Sequence, residues 1–167
     1  ELNPCRHITL SWQNDRLLRL TPLAESDDGK SRITKFARHG QRRAHHKGAL
    51  PNHAGWVLDQ ESFFKTHEFQ HSQAYFSCVT SATKHRQSIK MTLPAGLYLE
   101  IIFSGTFCEN AAKLSKRIEH FLQANDLEPV GNIYILPLEN HWFSCDCEQY
   151  VNKIFLKVED KDTTSLM

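Results

Sequence analysis

The chain has 167 residues, 40% of them hydrophobic and 23% charged, with a formal net charge of +1. This length and composition predict a globular domain with one core or two small packed lobes. The balanced charge argues against a surface that binds nucleic acid generally, and no apolar stretch approaches the roughly 20 residues that span a bilayer. The five cysteines lack the spacing of a disulfide framework, which favours a reducing, cytoplasmic location. Since the chain begins with Glu1 rather than Met, we expect it to be one domain of a longer protein.

The first half of the sequence predicts strands before and after one helix. The predicted strands span residues 7–12, 16–20, 56–58 and 74–79. The first two form either a strand or a hairpin turned at Asn14-Asp15. The helix carries acidic residues at its start and arginines at its end, which suits the helix dipole, and Ser26 or Asp27 is the expected N-cap.

The second half repeats this order more clearly. The predicted strands span residues 89–93, 97–103, 132–138 and 151–158. The turn signal Pro94-Ala95-Gly96 separates the first two. Thr106-x-x-Glu109 is a capping box that opens a helix running to about Asn125. One apolar stripe along this helix contains Ala111, Leu114, Ile118, Phe121 and Leu122.

Two strand–helix–strand–strand modules predict an α+β domain. We expect two pseudo-symmetric lobes, each an antiparallel sheet with one long helix, and a ligand cleft between them. A single domain would span residues 1–160, with lobe one at 1–87 and lobe two at 88–160. Residues 161–167 are expected to be a flexible tail.

A succession of motifs in the second half resembles a known family. The motifs are Pro94-Ala-Gly-Leu-Tyr98, the helix end Phe121-Leu-Gln-Ala-Asn125-Asp-Leu127, Gly131-Asn-Ile-Tyr134 and the closing strand 148–158. Across about residues 88–159 the chain is similar to the effector-binding domain of MerR-type multidrug-responsive transcription regulators, in the gyrase-inhibitor-like (GyrI-like) superfamily.

The resemblance implies a bacterial, cytoplasmic sensor of lipophilic aromatic compounds, including cations, with no cofactor. It also implies that DNA is bound by an upstream domain and that the full-length protein is a homodimer. In that family a glutamate follows the tyrosine of the Gly-x-x-Tyr segment. That position is Ile135 here, so the acid is missing, whereas the tyrosine near the last strand matches as Tyr150.

Glu100 lies in the middle of an otherwise apolar strand, where a carboxylate without a partner is costly. Strand alternation places it on one face with Tyr98 and Ile102, opposite the four apolar residues at 97, 99, 101 and 103. Glu100 could therefore face the cleft and replace the anion lost at Ile135. The alternative is that Glu100 is exposed or paired with a lysine or arginine.

Aromatic residues complete the predicted ligand site, because their faces suit flat or cationic ligands. The full set of candidates is Trp56, Phe76, Tyr98, Glu100, Tyr134, Ile135, Trp142 and Tyr150. Ordinary core packing is the alternative for many of them.

Other functions stay open. A stand-alone GyrI-like protein could bind gyrase, or could hydrolyse a small molecule with Glu100 and either Tyr98 or Tyr150 as the acid–base pair. No metal site is expected, because Cys145 and Cys147 lack a second ligand pair at zinc spacing. The basic stretch 30–47 is either a solvated helix face and loop or a contact for DNA phosphate, an acidic partner or an anionic effector.

Overall fold

The computed structural model describes residues 8–24, 26–44, 55–66, 72–79, 89–139 and 150–161. These residues form an antiparallel sheet with helices, so the predicted α+β class is confirmed. The elements are β1 (Ile8–Gln13), β2 (Arg16–Pro22), α1 (Gly29–Ala44), β3 (Gly55–Leu58), α2 (Gln60–Thr66), β4 (Ser72–Val79), β5 (Ile89–Leu93), β6 (Gly96–Ser104), α3 (Phe107–Ala124), β7 (Leu127–Glu139) and β8 (Val151–Asp160). None of the described helices is long and apolar enough to cross a membrane.

Two long segments pair as one antiparallel ribbon. β1 pairs with β6 up to Gln13↔Gly96, and β2 pairs with β5 from Arg16↔Leu93 onward, so the register is the same on both sides of the interruption. The segment of β1 and β2 is predicted as either a strand or a hairpin turned at Asn14-Asp15. The strand is therefore right, and the hairpin is wrong. Pro94-Ala95-Gly96 marks the break between β5 and β6, as predicted, but the two strands are not neighbours in the sheet, so this break does not form a hairpin.

Asn14 and Asp15, which predict a hairpin turn, lie instead at an interruption of the ribbon. The Asp15 carboxylate accepts a hydrogen bond from the Ala95 backbone N–H across the ribbon, at 2.5 Å. This bond ties the two interruptions together where regular ladder pairing stops. Asp15, a residue typical of turns, thus links two paired strands and does not reverse the chain.

The eight strands within the described residues all belong to one sheet, in the order β1-β6-β8-β7-β3-β4-β2-β5. The prediction of a separate sheet in each half is wrong, because β3 pairs with β7 through Trp56↔Ile135 and joins the halves. The order is symmetric about this junction: β7, β8, β6 and β1 occupy the places that β3, β4, β2 and β5 occupy on the other side. The repeated element order is confirmed, with α2 as an additional helix.

α3 covers one face of the sheet, as its apolar stripe predicts. Leu114 and Ile118 are fully buried and share a core cluster with the β6 residues Leu99, Ile101 and Phe103. The expected alternation along β6 is thereby confirmed. The capping box is not formed as predicted, because the side chain of Thr106, the N-cap residue, makes no capping hydrogen bond.

α1 begins at Gly29, one or two residues later than the predicted N-caps imply. Its cap is Asp28, whose carboxylate accepts the Ser31 N–H at 2.7 Å, so the choice of Ser26 or Asp27 is wrong. Asp27 instead binds Lys35 at 2.5 Å, and this contact holds the pKa of its carboxyl well below the usual range.

The buried His39 attaches α1 to the sheet. Its ring nitrogens lie 2.7 Å from the hydroxyl oxygens of Thr21 on β2 and Ser77 on β4. Its backbone oxygen accepts a hydrogen bond from Arg19 at 2.6 Å. Because both ring nitrogens and the backbone oxygen of the buried His39 have partners on the sheet, α1 is fixed against one half of it.

A second core lies on the face opposite α3. It collects one or more buried residues from each strand except β1: Leu18, Val57, Ala74, Phe76, Leu93, Tyr98, Tyr134 and Phe155. β8 and β4 are three strands apart, about 14 Å in a flat sheet, yet the Phe155 and Phe76 ring centroids are 6.0 Å apart. The sheet therefore curves around this second core.

Candidate ligand-binding site

Four rings from four strands pack together inside the curved sheet, and we call Phe76, Tyr98, Tyr134 and Phe155 the aromatic cluster. Tyr134 stacks on Phe155 with centroids 5.2 Å apart and planes 10° apart. Phe76 meets the Tyr134 ring edge-on at 5.5 Å, and Tyr98 lies 6.5 Å from Phe155. Offset and edge-on arrangements of this kind stabilise aromatic packing beyond area burial.

Arg16 places a positive charge against this cluster. Its guanidinium carbon lies 4.7 Å from the Phe155 ring centroid and 5.1 Å from that of Tyr98, which is cation–π geometry. Nε and Nη2 are buried and make no hydrogen bond to any residue that the structure describes. A buried charged donor without an acceptor is costly, so this edge of the guanidinium is a strong binding feature.

Glu100 shares the face of the aromatic cluster, as strand alternation predicts, and has a cationic partner. Its carboxylate lies 3.2 Å from Lys153 Nζ, and the two side chains are 16% and 25% exposed. The alternative of pairing with a lysine is thus confirmed. Farther along β8, Lys157 pairs with Glu159 at 3.3 Å.

Burial shifts the titration of the groups around Arg16. It raises the pKa of Tyr134 to about 12 and raises the pKa of Tyr98, while the Arg16 charge opposes both shifts. The Tyr98 hydroxyl donates to the Pro94 oxygen at 2.6 Å. Burial also raises the pKa of the Cys78 thiol against the opposing charges of Arg16 and Lys153. Both cations therefore act on the partly exposed margin of the cluster where Cys78 lies.

The structure brings together some of the predicted site residues. Phe76, Tyr98 and Tyr134 are in the aromatic cluster, and Glu100 lies on the same face. Trp56 and Ile135 instead pack into the opposite core under α3. Tyr150 precedes β8, where its backbone oxygen accepts the Gly105 N–H at 2.7 Å, and Trp142 lies outside the described residues.

Sequence reasoning missed Arg16 and Phe155. Phe155 could have been found from the alternation of the closing strand, which places it on one face with Lys153 and Lys157. Arg16 carried no such signal, because its two aromatic neighbours come from β6 and β8, far along the chain.

The remaining sequence candidates contribute little to this site. Cys145 and Cys147 lie outside the described residues, and within the described residues no three potential metal ligands form a group. In the basic stretch, Lys30 and Arg38 are exposed, whereas Lys35 is paired with Asp27.

Comparison with solved structures identifies the fold. The C-terminal domain of EcmrR matches with a TM-score of 0.68 and 14% identity, covering 92% of this chain and 98% of that one. In a complex of EcmrR with DNA, the match spans 57% of the longer EcmrR chain. SAV2435 bound to tetraphenylphosphonium matches with a TM-score of 0.54 and 13% identity, covering 92% of this chain and 94% of that one.

A hydrolase from Listeria innocua also matches, with a TM-score of 0.59 and 10% identity, covering 95% of this chain and 94% of that one. No family model and no curated protein sequence matches this chain. The chain therefore has the fold of the EcmrR C-terminal domain, a fold that the Listeria innocua hydrolase shares.

Proposed function

We propose that this chain is the small-molecule-sensing domain of a bacterial transcription regulator of the GyrI-like type. The observation that carries the proposal is the aromatic cluster, which is enclosed by strands from both halves of the sheet. The EcmrR C-terminal domain and the tetraphenylphosphonium complex of SAV2435 support it through the shared fold. In this role the effector is a lipophilic aromatic compound, and the MerR-type, multidrug-responsive character expected from the sequence is part of the proposal.

A ligand would reach the cluster at its partly exposed margin. Leu20, Cys78, Met91 and Leu136 are partly buried residues packed against the cluster. Their side chains offer an apolar surface beside the rings, and a flat ligand stacked there would gain about 0.5–1.5 kcal/mol per ring contact. This margin, with the aromatic cluster behind it, is the proposed binding site.

Sensing requires that the ligand bind one arrangement of the domain better than another. The aromatic cluster contacts both halves of the sheet, which are joined by the β3–β7 pairing and by the long ribbon. A ligand that separates the rings would therefore change how the halves pack. In a cytoplasmic homodimer, a separate DNA-binding domain would respond to that change.

The test is isothermal titration calorimetry with three lipophilic probes: tetraphenylphosphonium, naphthalene carboxamide and naphthalene carboxylate. At least one should bind saturably at one site per chain. Phe155→Leu should weaken that binding about fivefold or more, because it removes the ring on which Tyr134 and Arg16 pack behind the proposed margin. Phe103→Leu, the same change in the core under α3, should leave it unchanged. The proposal is wrong if no probe binds, or if both variants lose affinity equally.

A hydrolase is the second candidate, favoured by the fold shared with the Listeria protein. The predicted acid–base pair is already engaged here, since Glu100 binds Lys153 and the Tyr98 hydroxyl donates to Pro94. Turnover of aryl esters or epoxides that Glu100→Gln abolishes would support the hydrolase over the sensor. Stoichiometric binding to gyrase would support the inhibitor alternative.

A further inference from the structure

We propose that the ligand of this site carries a carboxylate, held by the Nε and Nη2 edge of Arg16. This inference rests on the proposed sensing function and adds the charge of the ligand. It differs from the cation expected from the sequence resemblance.

The first support is the charge balance of the inner face. Glu100 and Glu159 on the neighbouring strands β6 and β8 each lie within 3.3 Å of a lysine. Among the described residues, no carboxylate forms a salt bridge with Arg16. A ligand cation would thus meet a carboxylate already paired with Lys153 and a guanidinium that forms no salt bridge with a described residue, which disfavours it.

The second support is the shape of the free edge. Nε and Nη2 are the two nitrogens along one side of the guanidinium, and their N–H groups point in parallel. This fork matches the two oxygens of a carboxylate. Both atoms are buried without an acceptor among the described residues, while the face of the group is occupied by the Phe155 and Tyr98 rings. The Phe155 and Tyr98 rings fix the orientation of the guanidinium by packing on its face. The Nε and Nη2 edge is then the part that a ligand would bind.

The third support is the position of Lys153. Lys153 lies two residues from Phe155 along β8 and therefore on the same face of the sheet, where its Nζ lies 3.2 Å from the Glu100 carboxylate. An anion on Arg16 would not meet a free Glu100 carboxylate there, because Lys153 is paired with it. The apolar part of the ligand would lie against Met91 and Leu136, which pack on the cluster.

The experiment compares three naphthalenes with the same ring system, the carboxylate, the carboxamide and the methylammonium, by calorimetry on the wild-type chain. The carboxylate should bind about tenfold to a hundredfold more tightly than the carboxamide, as expected for hydrogen bonds to a charged group. Arg16→Gln should remove this preference, and Arg16→Lys should restore part of it through charge alone. Arg38→Gln, the same change at an exposed position of α1, should leave it intact.

The outcomes separate the two proposals. If no naphthalene and no tetraphenylphosphonium binds, both proposals are wrong. If the methylammonium or the carboxamide binds at least as tightly as the carboxylate, and Phe155→Leu still weakens binding, only the carboxylate inference is wrong. The carboxylate inference is also wrong if Arg16→Gln leaves the preference for the carboxylate unchanged. The wild-type comparison alone decides the ligand charge, so it does not depend on any variant folding.

Discussion

Replacing Arg16 with methionine should stabilise the protein while abolishing its carboxylate preference. Two buried N–H groups without acceptors among the described residues cost about 1–3 kcal/mol each, and the two cation–π contacts return about 0.5–2 kcal/mol each. Methionine keeps a flexible side chain that reaches about as far as Arg16 Nε and makes favourable sulfur–aromatic contacts. We therefore expect the free energy of unfolding of Arg16→Met to rise by about 1–2 kcal/mol.

Urea unfolding followed by circular dichroism measures this free energy directly. For a chain of this length the corresponding rise in Tm is about 2–8 °C. Arg38→Met is the matched control, because Arg38 is exposed on α1, and it should stay within about 0.5 kcal/mol of wild type. A loss of more than about 1 kcal/mol in Arg16→Met would refute the reasoning. That result would mean that Arg16 stabilises the aromatic cluster and is not a ligand-binding residue.

Three further predictions concern the same region. Glu100→Gln should cost about 1 kcal/mol of stability and tighten naphthalene carboxylate binding several-fold, because it frees Lys153; weaker binding in calorimetry would contradict this. Gly55→Ala should cost about 1–3 kcal/mol in urea unfolding, because its Cβ would clash with the Ile135 backbone oxygen on the paired strand β7 and would lie 2.5 Å from a Phe76 ring carbon; unchanged stability would show that both the β3–β7 backbone and this ring can move. The pKa of Tyr134 is raised to about 12 by burial, above about 10 in an unfolded chain. Its contribution to stability should therefore be complete below pH 10 and be lost as pH rises through 12; tyrosinate absorbance that is complete near pH 10 in the folded protein would contradict this.

Local patterns in the sequence predicted the elements well. Alternation along β6 placed Tyr98 and Glu100 on one face, and the stripe along α3 placed Leu114 and Ile118 in the core. These properties depend on the periods of a strand and a helix, which residues a few positions apart determine. The repeated order of elements was visible for the same reason.

Strand pairing could not be predicted in this way. Asn14-Asp15 has the composition of a hairpin turn, yet the segment continues as a strand, because β1 and β2 pair with β6 and β5 about 80 residues later. Trp56 and Ile135 pair where β3 and β7 join the two halves of the sheet. In this register both side chains lie on the α3 face and not in the aromatic cluster. A shift of one residue in the pairing register moves a side chain to the other face of the sheet. The register is set by strands that are distant in the sequence.

The sequence by itself determined the α+β class, the helix that covers one face and the aromatic residues available for a site. Only the tertiary structure decided which of these residues meet, that Glu100 is matched by Lys153, and that Arg16 lies against Phe155 and Tyr98. Charge pairing acts through space, and its energy depends on distances and burial that chain order does not contain. The expected sign of the ligand changed for that physical reason.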